Sequence, residues 1–292
     1  LEALDTPRDA AALVADAAST HPSDIRLDYL RPLVRRMIGD GVAESVVARV
    51  SKGGLTVAAL AELVEGCVED AAFPLGIQGP DTCHYARANY SSAEEGRAKV
   101  SEALRKRLEK GHTLGPYQVH DASALFAASA VNPLGAVPKR DCDALRPVED
   151  VWANLFIDPP TFAMPTMEYM RETATPGGYW WVVDVEDAFA QLSIPESDRP
   201  WTLFRWYHPD DAAFEGEPTW LYMHVRGFFG PRTYPSWYTL LQLYVNIGAL
   251  AADVPAPLLG YIDDNAQHSP THGESKASLD ADLAHLSAAG LP

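Results

Sequence analysis

Positive charge is scarce in this sequence: 23 Lys and Arg stand against 40 Asp and Glu, a formal net charge of −17. A protein that simply coats nucleic acid by neutralising phosphates needs the opposite balance, so the totals argue against that class. Cysteine is scarcer still. Cys67, Cys83 and Cys142 are an odd number at unrelated spacings, which speaks against a disulfide framework and for reduced thiols in an intracellular protein, cytoplasmic or nuclear. Cys83-His84 invites a zinc reading, but no second pair stands at ligand spacing, and Pro270 between His268 and His272 argues against a helical ligand pair. No apolar run approaches the ~20 residues that a helix needs to span a bilayer. There is no signal peptide, so no membrane partner is expected. Internal repeats and low-complexity tracts are also lacking.

What is present supports a real core. The 292 residues are 47% hydrophobic and 10% aromatic, enough for two or three subdomains or one large unit. The chain starts at Leu1 and so reads as a fragment or a processed product. Its charge is uneven. Residues 86–146 hold ten Lys/Arg and seven Asp/Glu, a local balance of +3, while the remaining 13 basic and 33 acidic residues give −20.

The first ~85 residues read as a helical extension with core-facing stripes. Thr6-Pro7 resembles an N-cap followed by Pro at the first helical position. Leu27, Leu30, Val34, Met37 and Ile38 form a stripe that ends near Gly41, and Thr56 caps a segment with Leu60, Leu63, Val64, Cys67 and Val68 on one face. Ser92-Ala-Glu-Glu95 has the form of a capping box. It should open a helix carrying Val100, Leu104 and Leu108, with Gly111 as its C-cap. From about residue 130 short β-rich runs appear, among them "GAVPK", "YWWVVDV", "WTLFRWY", "TWLYMHV" and "PLLGYID". Helical stretches at 235–250 and 277–290 alternate with them. This mixture predicts an α+β fold with a largely antiparallel sheet.

Two of these runs end in acid. "WWVVD" ends at Asp184, and "PLLGYIDD" ends at Asp263 and Asp264. Asp-Asp-Asn also suits a β-turn. If the two strand ends meet on neighbouring strands, however, three carboxylates can hold two hard divalent cations, the clamp for in-line phosphoryl transfer.

Five segments in order resemble the motifs of reverse transcriptases. "VDVEDAFAQLSIPESDRPWTLF" resembles motif A, "FFGPRTYPSWY" motif B, "GYIDDN" the Y-x-D-D box of motif C, and "LAHLSAAGL" motif D. Upstream, "NPLGAVPKRDCDALRPVEDVWAN" resembles the fingers hairpin, with Lys139, Arg146, Asp150 and Asn154 in family order. Together with "GPYQ" and the helix before it, the pattern is most similar to DIRS-type retrotransposons. Gly227-Phe228 stands where the family usually has Leu-Pro.

The resemblance implies a right-hand polymerase with fingers at 86–180 and palm at 181–292, the helical extension at 1–85, and no thumb in this stretch. It implies RNA-directed DNA synthesis with Mg²⁺ (two ions, or Mn²⁺), a primed RNA or DNA template and deoxynucleoside triphosphates. Asp184, Asp263 and Asp264 are the implied catalytic metal ligands, with the Val185 carbonyl as an extra one. Lys139 and Arg146 are implied to hold the triphosphate and Phe189 to lie under the sugar, while Phe229 and Gly230 approach the new base pair. The acidic N-terminal region suits a protein partner. The alternatives are an inactive reverse-transcriptase fold kept as a binding or structural protein, favoured by the acidic charge, and a metal-dependent nuclease, which would not need Phe189, Lys139 or Arg146.

Overall fold

The computed structural model describes residues 8–50, 55–66, 72–140, 142–159, 163, 170–172, 174–211, 213–254, 259–261 and 264–291, with the backbone alone at 49–50 and 259–261. Thr6-Pro7, Cys67, Val68 and Asp263 lie outside these residues. The chain forms two compact units, each assembled from three stretches: Leu1–Pro22, Phe73–Asp158 and Leu192–Tyr234 in one, Ser23–Ala72, Pro159–Gln191 and Pro235–Pro292 in the other. Among the described residues, no helix is long and apolar enough to cross a membrane.

The first unit is built on a five-stranded sheet of β1 (Cys83–Ala86), β3 (Ala128–Asn132), β7 (Leu203–Trp206), β8 (Trp220–His224) and β2 (Thr113–Tyr117), in that spatial order. β1, β3 and β7 run parallel, whereas β7, β8 and β2 are antiparallel. The sheet is therefore mixed, which corrects the expectation of a largely antiparallel one. β1 and β3 were invisible as strands because "CHYA" and "ASAVN" are short and small-residue-rich. Helix α1 (Ala10–Ala17) covers the Leu203, Leu221 and Met223 side through Leu13 and Ala17. Its N-cap is Asp9, whose carboxylate accepts from the Ala12 N–H at 2.9 Å. Its C-terminus is held by the buried Arg199, which donates to the carbonyls of Ala17 (2.9 Å) and Asp16 (3.3 Å), a cation placed where the helix dipole is negative.

The expected capping box at Ser92 does not form. A short α5 (Ser91–Glu95) has Tyr90 as its N-cap and breaks at Gly96 before α6 (Arg97–Glu109) begins. The box serine is taken by a tertiary partner, as is the neighbouring Glu94. Ser92 Oγ accepts the Ala136 N–H at 3.1 Å, and Glu94 accepts from Arg97, Asn89 and the Tyr207 hydroxyl. The helix face does pack as expected: Val100, Leu104 and Leu108 join Phe204, Trp206 and Tyr222 in one core cluster. Gly111, at φ 69°, ends α6. A two-stranded hairpin, β4 (Leu134–Pro138) with β5 (Leu145–Glu149), completes the unit.

The second unit holds helices α2 (Leu27–Arg36), α3 (Gly41–Val50) and α4 (Val57–Gly66), and a three-stranded antiparallel sheet of β6 (Tyr179–Asp184), β10 (Asp264–Ser269) and β9 (Leu259–Tyr261), with β10 central. Gly39, at φ 79°, follows the end of α2, and Gly41 opens the next helix rather than closing the stripe. Ile38 and Leu63, expected on buried faces, are exposed. Thr56 does cap α4, its hydroxyl accepting from the Ala59 N–H at 3.0 Å. Helix α7 (Tyr234–Ala251) is apolar nearly all round and almost wholly buried, as such a helix must be. Helix α8 (His272–Ala288) starts five residues earlier than its apolar pattern predicts, because Thr271 and Glu274 form a true capping box.

Candidate active site

The sequence of β6, "YWWVVD", is aromatic and β-branched, which suits a strand half-buried on a sheet. Its two faces differ. Trp181 is buried, and its Nε1 donates to Ser278 Oγ of α8 at 3.2 Å. Trp180, Val182 and Asp184 alternate with it and are exposed. Residues of β10 stand directly opposite: His268 against Trp180, Ala266 against Val182, and Asp264 against Asp184. The end of β6 therefore meets the start of β10 rather than the end of β9, which lies on the far side of β10, and the carboxylates of Asp184 and Asp264 leave the same face of the sheet.

Directly opposed residues of antiparallel strands lie ~4.5–5.5 Å apart, and like charges there repel. Two acids so placed supply the hard oxygen donors that a divalent cation takes. Asp263, the third expected ligand, lies outside the described residues. Among the described residues, no group of three His, Cys, Asp or Glu stands close enough to hold a metal ion. The chemistry of the donor pair nevertheless fits Mg²⁺, which is bound through one or two carboxylates with water and phosphate completing the shell.

Beyond Asp184 the chain turns sharply. Val185 is buried, Asp187 adopts φ 50°, and the Ala190 N–H returns to the Asp187 carbonyl at 2.7 Å. A short 3₁₀ turn, Ala188–Gln191, presents Phe189. The ring is half-buried and meets Tyr238 of α7 edge-on, with centroids 6.2 Å apart. Tyr238 is thus the neighbour that backs Phe189.

The basic residues belong to the other unit. The Lys139 N–H donates to the Ala144 carbonyl at 2.9 Å, closing the β4–β5 hairpin, and both Lys139 and Arg146 are exposed on it. The Arg146 guanidinium carbon sits 4.6 Å from the centroid of the Phe229 ring, a cation–π contact that orients it. The loop carrying Phe229 is tied to the end of β5. The Glu149 N–H donates to the Phe229 carbonyl at 3.1 Å. Asn154 donates through Nδ2 to the Gly230 carbonyl and accepts through Oδ1 from the Arg232 N–H, both at 2.9 Å.

Gly230 is required here for two reasons. Its φ is 146°, and a Cβ would stand 2.4 Å from the Glu149 carbonyl oxygen. The structure thus brings together Asp184 with Asp264 and Arg146 with Phe229 and Gly230. Asn154, already singled out in the fingers-like run, holds the Gly230 loop, and the structure adds Glu149, which no motif marks.

No family model and no curated protein matches this sequence. Solved structures do. A foamy viral protease-reverse transcriptase in complex with double-stranded DNA matches at a TM-score of 0.53 and 17% identity, covering 91% of this chain and 42% of that one. The native protease-reverse transcriptase of prototype foamy virus matches at 0.52 and 18%, covering 73% of this chain and 25% of its own. The chain thus spans less than half the length of these neighbours, and its fold is like that of a reverse transcriptase.

Proposed function

We infer that this chain is the core of an RNA-directed DNA polymerase, of the type resembling DIRS retrotransposons, which extends a primer on an RNA or DNA template. The observation that carries the reading is the register of Asp184 against Asp264 on adjacent antiparallel strands. In this reading Asp184 and Asp264, together with Asp263, hold two Mg²⁺ ions, with the Val185 carbonyl as a further donor. When bound, the ions lower the pKa of an attacking hydroxyl and neutralise a leaving pyrophosphate.

The remaining work falls to the protein's own groups. The primer 3′-oxygen attacks the α-phosphorus of a deoxynucleotide, and pyrophosphate departs. Catalysis of that displacement is mostly positioning and charge neutralisation. Lys139 and Arg146 hold the triphosphate, with Arg146 already oriented by Phe229. Phe189, backed by Tyr238, sets a ring against the sugar and excludes a 2′-hydroxyl by overlap. The solved neighbour is in complex with double-stranded DNA, and by that likeness the locally basic stretch 86–146 is assigned the template–primer duplex, with the acidic N-terminal region left to a protein partner.

The second reading, an inactive fold kept for binding, draws on the net charge of −17. Primer extension on a homopolymer template separates the two. The expected result is Mg²⁺-dependent extension that Asp184→Ala or Asp264→Ala lowers by ~10³-fold, on the scale of losing an electrostatic stabiliser at the reacting centre. In the same assay, Phe189→Val is expected to lower the ratio of kcat/KM for dGTP over GTP towards the ~10²-fold that a pocket without steric exclusion gives. Extension retained by both Asp variants sinks the polymerase reading, and an unmoved ratio removes Phe189 from the sugar site.

A further inference from the structure

Behind the loop that carries Phe229 and Gly230 lies a buried acid–base cluster. Glu149 ends β5, and its side chain is 0% exposed. His224 ends β8 and is also buried. His224 Nε2 lies 3.1 Å from Glu149 Oε1, and its Nδ1 lies 2.9 Å from Thr113 Oγ1. Arg107 of α6 donates to Glu149 Oε1 at 3.4 Å and to the Pro147 carbonyl at 3.3 Å.

Burial lowers the His224 pKa, against the opposing pull of Glu149, so the ring is neutral. A neutral ring fits both contacts: Nε2–H donates to Glu149, and Nδ1 accepts from the Thr113 hydroxyl. The ring also stacks on Phe228, with centroids 4.1 Å apart, and on Phe204 at 4.8 Å.

A buried carboxylate is costly, and an apolar residue of the same size fills the space without that cost. What the carboxylate adds is fixed geometry. Through side chain and backbone, Glu149 joins four elements: β5, β8, α6 and the Phe229 loop. It stands three residues beyond Arg146 on the same strand, and its N–H and carbonyl are the groups that meet Phe229 and Gly230.

We propose that Glu149, held by His224 and Arg107, is a positioning residue for the incoming nucleotide: it fixes Arg146 against the Phe229 loop and so sets the affinity for the triphosphate. The proposal rests on the polymerase reading and deepens it.

The test is single-turnover incorporation of a deoxynucleotide on a primer–template with Mg²⁺, which yields nucleotide Kd and maximal rate separately. Glu149→Gln keeps the shape and removes the charge. It is expected to weaken nucleotide affinity by about ten-fold with little change in maximal rate, and to add nothing in an Arg146→Ala background, because coupled residues are non-additive. Full additivity with Arg146→Ala, or a loss of rate at unchanged affinity, overturns the proposal. Should Glu149→Gln not fold, His224 supplies the second test. The amide of His224→Gln reaches the place of Nε2 and keeps the bond to Glu149, whereas His224→Asn does not, so only the Asn variant is expected to lose about ten-fold in affinity. Equal losses in both overturn the proposal. A wild-type chain that binds no nucleotide defeats the polymerase reading and this proposal with it; a wild-type chain that binds, matched by Glu149→Gln, defeats this proposal alone.

Discussion

Two buried carboxylates, one in each unit, are held in opposite ways. In the hairpin-bearing unit, Glu149 is enclosed with a histidine N–H and a guanidinium at its oxygen. In the unit with the three-stranded sheet, Asp282 of α8 is 0% exposed, and neither of its oxygens meets a hydrogen-bond donor among the described residues. Burial pushes its pKa up to about 6. The same unit sets Asp184 opposite Asp264. Glu149 thus has a cation of its own unit beside it, whereas Asp282 has none within hydrogen-bond reach among the described residues, and a proton takes that place. An acidic total of −17 thus conceals buried acids in different electrostatic settings.

Four substitutions test these settings. The largest effect is expected for Arg107→Met, which leaves the Glu149 charge buried with only His224 beside it. Breaking a buried pair in this way costs about 3–5 kcal/mol. Urea unfolding reads the loss, and a cost within experimental error means that Glu149 is solvated and the contrast false.

Asp282→Asn is expected to act with the opposite sign. A carboxyl whose pKa rises from 3.8 to about 6 on folding favours the fold when protonated. Its contribution is fully present below pH ~4, is lost as pH rises towards 6, and above that leaves a deficit of about 3 kcal/mol. The Asn variant removes this deficit, so it should be more stable than wild type at pH 7, with the gap closing as pH falls to 4. His285, one turn along α8, does not mask the effect. Its Nε2–H donates to the Val245 carbonyl, its Nδ1 accepts from the Tyr29 hydroxyl, and its titration is common to both chains. A gap that is constant with pH shows that Asp282 titrates alike in the folded and unfolded chains, so that burial does not perturb it.

The contrast also marks how far the sequence could be read. The apolar strands at 203–206 and 220–224 and the buried helix at 234–251 follow from periodicity and composition. Asp184 and Asp264 drew notice because acids follow apolar runs, where burial and charge conflict, although Asp264 opens β10 rather than closing β9. β10 was not legible, since "DNAQHS" has no apolar alternation; the Oδ1 of its buried Asn265 accepts from Gln242 Nε2 at 2.6 Å, a partner 23 residues away. Nor was the polar buried face of α8, where Ser275, Ser278, Asp282 and His285 occupy positions that pattern reading assigns to solvent. Ser92 shows the same limit: the serine of a local capping signal is taken by a partner 44 residues distant. Polar residues are hard to read because their burial depends on partners that only the tertiary fold supplies.

The smallest expected effect concerns the opposed acids. A like-charge pair facing across a strand ladder costs ~0.2–1 kcal/mol. Both Asp184 and Asp264 are at least partly exposed, so solvent screens them and the lower part of that range applies. Asp184→Asn or Asp264→Asn should therefore raise the stability of the metal-free protein by a few tenths of a kcal/mol at low salt. The double variant should add little, because either change alone already removes the repulsion. Mg²⁺ supplies the sharper arm of the experiment. A cation that binds the folded state stabilises it by mass action, so wild-type Tm should rise with Mg²⁺ while the Asn variants respond weakly, and the order of stability should reverse. An ion held elsewhere raises all the curves together. Parallel curves for wild type and both variants would mean that the opposed carboxylates are an ordinary strand end and take no cation.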